Sequence, residues 1–571
     1  MLRRLTRAQR VADQQLTFMP SVKSCGARGG SFPGEGVEFR VPVCSSLRQQ
    51  SARRSFLDSS AAMHTGKRGT PWTRARPAKR RRRTRTSAGG ACASTPGPRD
   101  TSEAQNDWTD VQRWRAATAS PLADRLAIKV RAGVDLTSHY SGTGAAESAL
   151  AAIAGDQLTS YSACDIDLVC QDVLVHHEGA SAPRHVFADL CDRPPVEIMQ
   201  ELRLRLKQAQ IKAGVARGSA SAPAAQATGG GPETIQRVGR EWVREAMAIL
   251  AAWSPTRDDM GQCVRHGRQC RIFPPRGSRY HIEVSGVNCQ PWSAVGKKLG
   301  WLDDRSLPCL VLVQTILCIE PSAVCIECTP AFDFATLREL LAAKYQGSCA
   351  QTCPTDFGLP VRRPRLYMWF DSMSCLDEEH VDIDCCLLAA RRSVRLSPRD
   401  YLKVATADRR RHYEDMWREY TGSAPPRPLL RRMVRKGPGP MPPVAKYLAP
   451  GLLSRYRSHR EAVAKIRKNE KDCFVVDINQ SATYGRASTP NVFPTILKTS
   501  VLVVLSADEA NDSMLVPEEL LSIHGIDLPS SVLRRLKLRR VRQLLGNSMH
   551  VVQVGTFIQC ALATRTWSGD Q

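Results

Sequence analysis

A strand, a glycine-rich turn and a helix follow one another between residues 134 and 153, and this succession constrains the fold more than any other feature. Val-Asp-Leu at 134–136 leads into Ser-Gly-Thr-Gly at 141–144, and the helix-forming run 145–153 follows. Two further apolar runs end in acids, at Asp165 and Asp189. Strands that alternate with helices predict an α/β fold with a parallel sheet covered on both faces.

The ends of these three runs carry groups that suit an adenosine-containing cofactor. Ser141, Gly142 and Gly144 form a turn in which glycine lets a ligand approach the backbone. Asp165 follows about 20 residues later, where an acid usually meets the ribose hydroxyls. Asp189 is expected to accept a hydrogen bond from an adenine amino group. Each residue alone is equally typical of a solvated turn, but their order predicts a cofactor site.

Two residues at later strand ends are candidates for acid and nucleophile chemistry. Cys289 follows the alternating stretch 281–287 and precedes a polar loop. Strand carboxyl ends open onto the ligand crevice of an α/β sheet, so this cysteine is a candidate nucleophile. Glu327 follows the apolar residues 323–326, where partial burial would raise the pKa of a general acid. A strand-terminal Glu in water is the alternative.

Arg363 and Arg365 lie two positions apart, and alternation along a strand would place both side chains on one face. Two guanidinium groups together can hold a carbonyl oxygen, a carboxylate or a phosphate. A basic strand on the protein surface is the alternative interpretation.

Six stretches, beginning with the glycine turn, resemble in chain order the motifs of the C5-cytosine DNA methyltransferases. Cys-Gln-Pro-Trp-Ser at 289–293 resembles the nucleophile motif, and Ile-Glu-Cys at 326–328 resembles Glu-Asn-Val. Residues 358–365 resemble the strand Gly-Val-Pro-Gln-x-Arg-x-Arg. Residues 515–525 and the Gly-Asn-Ser-Met box at 546–549 complete the series.

The resemblance covers roughly residues 130–371 and 475–560 and implies a fold and an activity. The implied fold is a Rossmann-like S-adenosylmethionine-dependent methyltransferase sheet with a smaller, irregular target-recognition domain. The implied reaction transfers a methyl group from S-adenosylmethionine to C5 of cytosine in DNA, through a covalent adduct between Cys289 and C6. Asn547 and Ser548 are then expected near the methionine moiety of the cofactor.

The same resemblance implies roles for the other candidate residues. In the family, the residue matching Glu327 contacts the amino group and N3 of the target cytosine. The arginines matching Arg363 and Arg365 hold the cytosine O2, steady the Glu and grip a phosphate. The base is rotated out of the duplex, and the loop from Trp292 to Arg305 is expected to close over it.

Four positions depart from the family pattern. Asn288 stands in place of Pro, Cys328 in place of Asn, Val361 in place of Gln, and Asp165 where Glu is usual. The three chemical roles remain in place, so we expect an enzyme. A catalytically silent DNA-binding relative and methylation of cytosine in RNA stay open as alternatives.

The amino-terminal part of the chain is strongly basic. The first 100 residues hold 21 Lys and Arg against 5 Asp and Glu, so +16 of the formal charge of +26 lies there. Residues 1–125 lack periodicity and are predicted to be a disordered tail. The basic block 79–83 predicts nuclear import or backbone binding to nucleic acid. A solvated charged tail and an organelle transit peptide are the alternatives.

The rest of the chain divides into three predicted parts. A catalytic domain is expected over 126–371, interrupted by an insertion at about 191–280. Residues 372–480 are basic and rich in Pro, which predicts a target-recognition domain, and 481–571 are expected to return to the catalytic domain.

Metal and membrane sites are not expected. Cys263, His266 and Cys270 do not fit paired Cys-x-x-Cys spacing, and the sequence offers no second pair nearby. The 20 cysteines have no regular spacing, which argues against a disulfide framework. The chain has no run of 18 apolar residues of the kind that spans a membrane. The oligomeric state stays open.

Overall fold

The computed structural model describes residues 130–215, 231–277, 279–293, 296–380, 383–423, 444–484 and 490–567. The predicted basic tail over 1–125 lies outside these residues, as do residues 216–230 of the predicted insertion. In the described part of the chain, no helix is both long and apolar enough to cross a membrane.

A seven-stranded sheet forms the centre of the fold. Its strands are β1 (Val134–His139), β2 (Leu158–Cys164), β3 (His185–Phe187), β6 (Tyr280–Gly286), β7 (Ala323–Cys328), β8 (Tyr345–Thr352) and β9 (Arg365–Ser372). They are arranged in the order β3-β2-β1-β6-β7-β9-β8. Neighbouring strands are parallel except at β9, which runs antiparallel to both β7 and β8. The predicted Rossmann-like methyltransferase fold is confirmed by this mostly parallel sheet.

The central strands β1, β6 and β7 are buried at nearly every position, and β7 is apolar on both faces, whereas β1 and β6 also carry buried polar side chains. In β7, Ala323 and Cys325 face one hydrophobic core, whereas Val324 and Ile326 face the other. A parallel sheet between two helical layers requires apolar side chains on both of its faces.

Helices cover the two faces. On one face, α13 packs against α1. On the other, α3 and α4 pack against each other and α4 packs against α5. The helices are α1 (Ala145–Ala154), α2 (Leu168–Val175), α3 (Val196–Lys212), α4 (Pro232–Leu250), α5 (Leu307–Ile319), α6 (Phe334–Leu341), α7 (Ile383–Ala390), α8 (Thr406–Thr421), α9 (Pro450–Ile466), α10 (Pro517–His524), α11 (Ser530–Leu533), α12 (Leu538–Asn547) and α13 (Val551–Ala563).

The predicted insertion contains α3, α4 and a β-hairpin. The hairpin pairs β4 (Met260–Cys263) with β5 (Arg268–Arg271) in an antiparallel register. Buried Leu and Trp side chains of α3 and α4 belong to the core of the main sheet, so the insertion is part of that domain.

A second, smaller antiparallel sheet contains β11 (Phe474–Asp477), β12 (Leu502–Leu505) and β13 (Ser513–Met514). The domain boundary expected at 480 therefore falls between two strands of one sheet. A further two-stranded pair joins β10 (Leu376–His380) to β14 (Arg565–Trp567).

Candidate active site

The strand order of the main sheet reverses between β1 and β6, and this point creates a crevice at their carboxyl ends. His139 at the end of β1 pairs with Ser285 near the end of β6. The glycine turn follows the first strand, and Cys289 follows the second. The two loops selected from the sequence therefore leave the sheet side by side.

The glycine turn adopts backbone angles that favour glycine. Gly142 and Gly144 have φ of 58° and 78°, in the left-handed region. A Cβ at Gly144 would lie 2.5 Å from a ring carbon of His177, so this position also lacks space for a side chain. Ser141 is buried, and its hydroxyl donates to the carbonyl oxygens of Ser138 and Cys164. The turn is thereby fixed against β1 and β2.

The two predicted acids lie at the ends of β2 and β3. Asp165 accepts hydrogen bonds from the N–H groups of Gly142 and Asp167, at 2.8 and 2.9 Å. Burial raises the pKa of this carboxyl group. Asp189 is half-buried and accepts from the N–H of Cys191 at 2.8 Å. Asp165 therefore contacts the turn directly, whereas the described contacts of Asp189 are local.

The carboxy-terminal box meets the glycine turn through Ser548. Its hydroxyl oxygen lies 2.9 Å from Oγ1 of Thr143, and a Cβ at Gly142 would lie 3.6 Å from the same oxygen. Asn547, by contrast, is exposed at the last position of α12. The box thus contributes Ser548 to the contacts with the turn, and the expected role of Asn547 stays a prediction.

Cys289 is half-buried three residues beyond the end of β6. The side chain of the preceding Asn288 accepts a hydrogen bond from the N–H of Gln290 at 3.0 Å. This local bond constrains the backbone around the cysteine, where the family pattern has Pro. Trp292 donates its N–H to the carbonyl of Cys289 at 3.1 Å. The cysteine therefore lies in an ordered turn.

Glu327 lies on β7 directly beside the end of β6. It pairs with Gly286, and a Cβ on that glycine would be 3.6 Å from Oε2 of Glu327. Arg365 Nε lies 2.7 Å from Oε1 of Glu327, and both side chains are largely buried. This contact is an ion pair without hydrogen-bond geometry, and Oε1 has no hydrogen-bond partner among the described residues. Oε1 of Glu327 can therefore still accept a hydrogen bond from another donor.

Arg363 is 2% exposed and donates through Nη2 to the carbonyl oxygen of Ser548. Within the described part of the chain, its Nε and Nη1 have no hydrogen-bond partner. Burial, followed by the charge of Arg365, lowers the pKa of this guanidinium to about 10. Unpaired buried donors are costly, so these two nitrogens are suited to receive a ligand oxygen.

The two arginines do not share a strand as predicted. β9 begins at Arg365, and Arg363 precedes it in an extended segment. Pro364 lies between them, and its lack of an N–H group prevents a ladder hydrogen bond at that position. Both guanidinium groups nevertheless act electrostatically with Glu327.

Buried ionisable groups that the sequence did not reveal surround this site. Glu147 lies in the first turn of α1, accepts from the hydroxyl of Ser138, and has a pKa that burial raises to about 7. His550 directly follows the carboxy-terminal box, and burial lowers its pKa to about 3. An acid in the first helical turn was a usable signal for Glu147. Adjacency to the box was the corresponding signal for His550.

The segment expected to act as a lid is attached at both ends. Trp292 and Trp301 are buried and pack edge-to-face, with ring centroids 5.3 Å apart. Phe332 contacts both rings. Arg305 binds Asp303 and also donates to Gln290 beside the cysteine. Loop closure over a base stays a prediction.

No family model and no curated protein matches this chain. Solved structures of methyltransferases are similar to it. The Dnmt2 methyltransferase of S. pombe is 14% identical, with a TM-score of 0.38, over 74% of this chain and 97% of its own. The methyltransferase EhMeth of Entamoeba histolytica is 13% identical, with a TM-score of 0.34, over 75% of this chain and 97% of its own.

A mutant DNMT2 of Spodoptera frugiperda is 13% identical, with a TM-score of 0.33, over 75% of this chain and 99% of its own. At these values the similarity does not carry an assignment of function. The sheet order defines the class of the fold, and the side chains at the switch point of the sheet define the chemistry that is available there.

Proposed function

We propose that this chain transfers a methyl group from S-adenosylmethionine to C5 of cytosine in DNA. The observation that carries the proposal is the buried Glu327–Arg365 pair, at 2.7 Å, on the strand next to the one that leads to Cys289. A nucleophile, an acid and guanidinium donors beside one crevice are what addition to a pyrimidine ring requires.

The residues around the glycine turn fit the cofactor. A carboxylate has about four lone-pair sites, and the described N–H donors to Asp165 occupy two of them. The remaining sites suit ribose hydroxyls. Gly142 leaves room for a ligand beside Ser548, because a Cβ there would meet nothing nearer than 3.6 Å. We assign the ribose to Asp165, the adenine to Asp189 and the methionine end to the region of Ser548.

The residues of the site divide the chemistry among them. Cys289, as the thiolate, adds to C6 of the extruded cytosine, and the π electrons of the C5=C6 double bond shift towards C4 and N3. Glu327 protonates or hydrogen-bonds N3, which gives C5 the character of an enamine carbon. S-adenosylmethionine, when bound, supplies the methyl group as a sulfonium donor. A base then removes the C5 proton, and the sulfur of Cys289 leaves C6.

The arginines hold the other side of the base. Nε and Nη1 of Arg363, which have no hydrogen-bond partner among the residues that the structure describes, can donate to the cytosine O2. Arg365 keeps Glu327 in place and can also reach a phosphate. Their burial strengthens both interactions, because charge-assisted hydrogen bonds gain strength away from water.

Labelled methyl transfer tests the proposal. We expect the full chain to incorporate methyl groups from S-adenosylmethionine into duplex DNA and to form a covalent complex with DNA containing 5-fluorocytosine. Cys289→Ala should abolish both signals while DNA binding persists. Cys349→Ala is the matched control, since this half-buried cysteine lies on β8, away from the crevice.

Two outcomes would contradict the proposal, and each would favour a different function. Incorporation into tRNA but not into DNA would change the substrate to RNA. The absence of both incorporation and the covalent complex, with DNA binding retained, would favour a catalytically silent DNA-binding protein.

We also propose a nuclear location. The basic block at residues 79–83 supports it, because dense Lys and Arg runs are import signals as well as polyanion contacts. A fluorescent fusion of residues 1–125 should accumulate in the nucleus, and the same fusion with the block changed to Ala should not. Accumulation in an organelle would contradict the proposal.

A further inference from the structure

Four potential metal ligands meet at the edge of the main sheet, on the β4–β5 hairpin and β3. They are His185, Cys263, His266 and Cys270, and one ligand atom from each lies within 4.8 Å of every other. The spacing of the last three predicted no metal, because the sequence offers no second pair nearby. His185 supplies the missing ligand from a position 78 residues before Cys263.

We propose that these side chains form a structural zinc site. Two thiolates and two imidazoles are a common ligand set for tetrahedral Zn²⁺, and four protein ligands leave no open position for catalysis. None of the four ligands belongs to the glycine turn or to the turn around Cys289, and the proposed methyl transfer does not depend on the metal.

The distances fit a tetrahedral ion. Nδ1 of His266 lies 3.5 Å from Sγ of Cys263 and 3.4 Å from Sγ of Cys270. A tetrahedral zinc with Zn–S of about 2.3 Å and Zn–N of about 2.0–2.1 Å separates sulfur from nitrogen by about 3.6 Å. The ring of His185 approaches that of His266 edge-on, with centroids 5.2 Å apart.

Hydrogen bonding alone accounts poorly for this cluster. A single imidazole nitrogen carries either one proton or one lone pair, yet two sulfur atoms approach Nδ1 of His266 equally closely. Nδ1 of His185 is buried and has no hydrogen-bond partner among the described residues. A cation at the centre would satisfy all of these atoms together.

The position of the hairpin indicates a structural role for the metal. Val264 donates its N–H to the carbonyl of Val186 at 2.7 Å, which joins the hairpin to β3. A two-stranded hairpin is marginally stable by itself, and this one has only four residues in each strand. Zinc would fix it to β3, whose carboxyl end leads to Asp189 of the proposed cofactor site.

Metal content and cobalt spectra of the full chain test the site without reference to activity. The tag-free protein, purified under reducing conditions and reconstituted with zinc, should contain about one tightly bound zinc per chain. Replacement by Co²⁺ should give the visible bands of tetrahedral cobalt and a sulfur-to-cobalt charge-transfer band. Absence of bound zinc, or octahedral cobalt without charge transfer, would overturn the proposal.

Variants identify the ligands. The double change Cys263→Ser and Cys270→Ser should remove zinc and the charge-transfer band, whereas the control Cys349→Ser should keep both. His185→Gln should weaken zinc binding by more than about 100-fold, since even outer-shell partners contribute about 10–100-fold. Unchanged zinc affinity and cobalt spectra in His185→Gln would overturn the four-ligand site.

Two further measurements examine the oxidation state of the cysteines and the contribution of zinc to stability. Mass spectrometry of the alkylated wild-type protein should find both cysteines free, and a Cys263–Cys270 disulfide would overturn the proposal. Chelation of zinc from the wild-type chain should lower its melting temperature, so the result does not depend on variants that fail to fold. An unchanged melting temperature would contradict the structural role.

Discussion

The hydroxyl oxygens of Thr143 and Ser548 lie 2.9 Å apart, although 405 positions separate these residues in the chain. The carboxy-terminal segment thus returns to the first strand of the sheet, beside the glycine turn. Ser548 also accepts from the buried Arg363 through its backbone carbonyl. One residue therefore joins the proposed cofactor site to the proposed base site.

Removal of this hydroxyl should weaken cofactor binding. For Ser548→Ala we expect a several-fold increase in the dissociation constant for S-adenosylmethionine and a loss of about 1 kcal/mol in the free energy of unfolding, the usual contribution of one hydrogen bond. Calorimetry and urea unfolding measure the two quantities. Ser458→Ala, on the exposed side of α9, is the control, and equal cofactor affinity in both variants would contradict the expectation.

Replacing the buried carboxyl group of Glu327 by an amide should slow the reaction with little loss of DNA binding. Glu327→Gln keeps the shape of the side chain but cannot deliver a proton to N3, and general acid catalysis contributes about 100- to 10,000-fold. Single-turnover rates should fall within that range, while DNA affinity stays near the wild-type value. Glu339→Gln on an exposed face of α6 should leave the rate unchanged. A wild-type rate in Glu327→Gln would remove this residue from the mechanism.

The side chain of Asn288 should compensate for the missing Pro before Cys289. Asn288→Ala loses the acceptor for the N–H of Gln290, so we expect a several-fold fall in kcat. Asn288→Asp retains an acceptor and should keep most of the activity. If Ala and Asp at this position act alike, the hydrogen bond does not organise the cysteine.

Glu147 should make stability depend on pH near neutrality. Burial raises its folded pKa to about 7, from 4.5 in the unfolded chain. The protonated carboxyl therefore stabilises the fold fully below pH 4.5, and this stabilisation, roughly 3 kcal/mol, is lost as pH rises through 7. Unfolding free energies of wild type and Glu147→Gln, measured from pH 4 to pH 8.5, should diverge in that direction. Parallel curves would contradict the shift.

A basic segment around α11 and α12 should contact the nucleic acid backbone. Arg534, Lys537 and Arg539 are exposed and line one cleft with residues of α8. Changing all three to Ala should weaken DNA binding and reduce the slope of log affinity against log salt by up to about 3. Gel shifts at several salt concentrations measure this slope. The change Lys207→Ala, at an exposed position of α3, should leave it unaltered.

Much of the candidate site could be predicted from the sequence because its signals are local. The glycine turn, Asp165 and Cys289 each follow a strand, and strand ends are readable from alternation and turn residues. Glu327 was likewise found from its position after an apolar run. Arg363 was expected on a strand but precedes β9, because Pro364 lacks an N–H group and delays the start of that strand.

The sequence by itself determined the order of strands, turns and candidate side chains, since these depend on periodicity and on backbone chemistry within a few residues. The tertiary structure alone decided which distant groups meet. Docking of a hairpin on β3 brings His185 to Cys263 and Cys270, and the return of α12 and α13 brings Ser548 to Thr143. These contacts depend on how whole helices and strands pack, and the spacing of residues along the chain does not determine that packing.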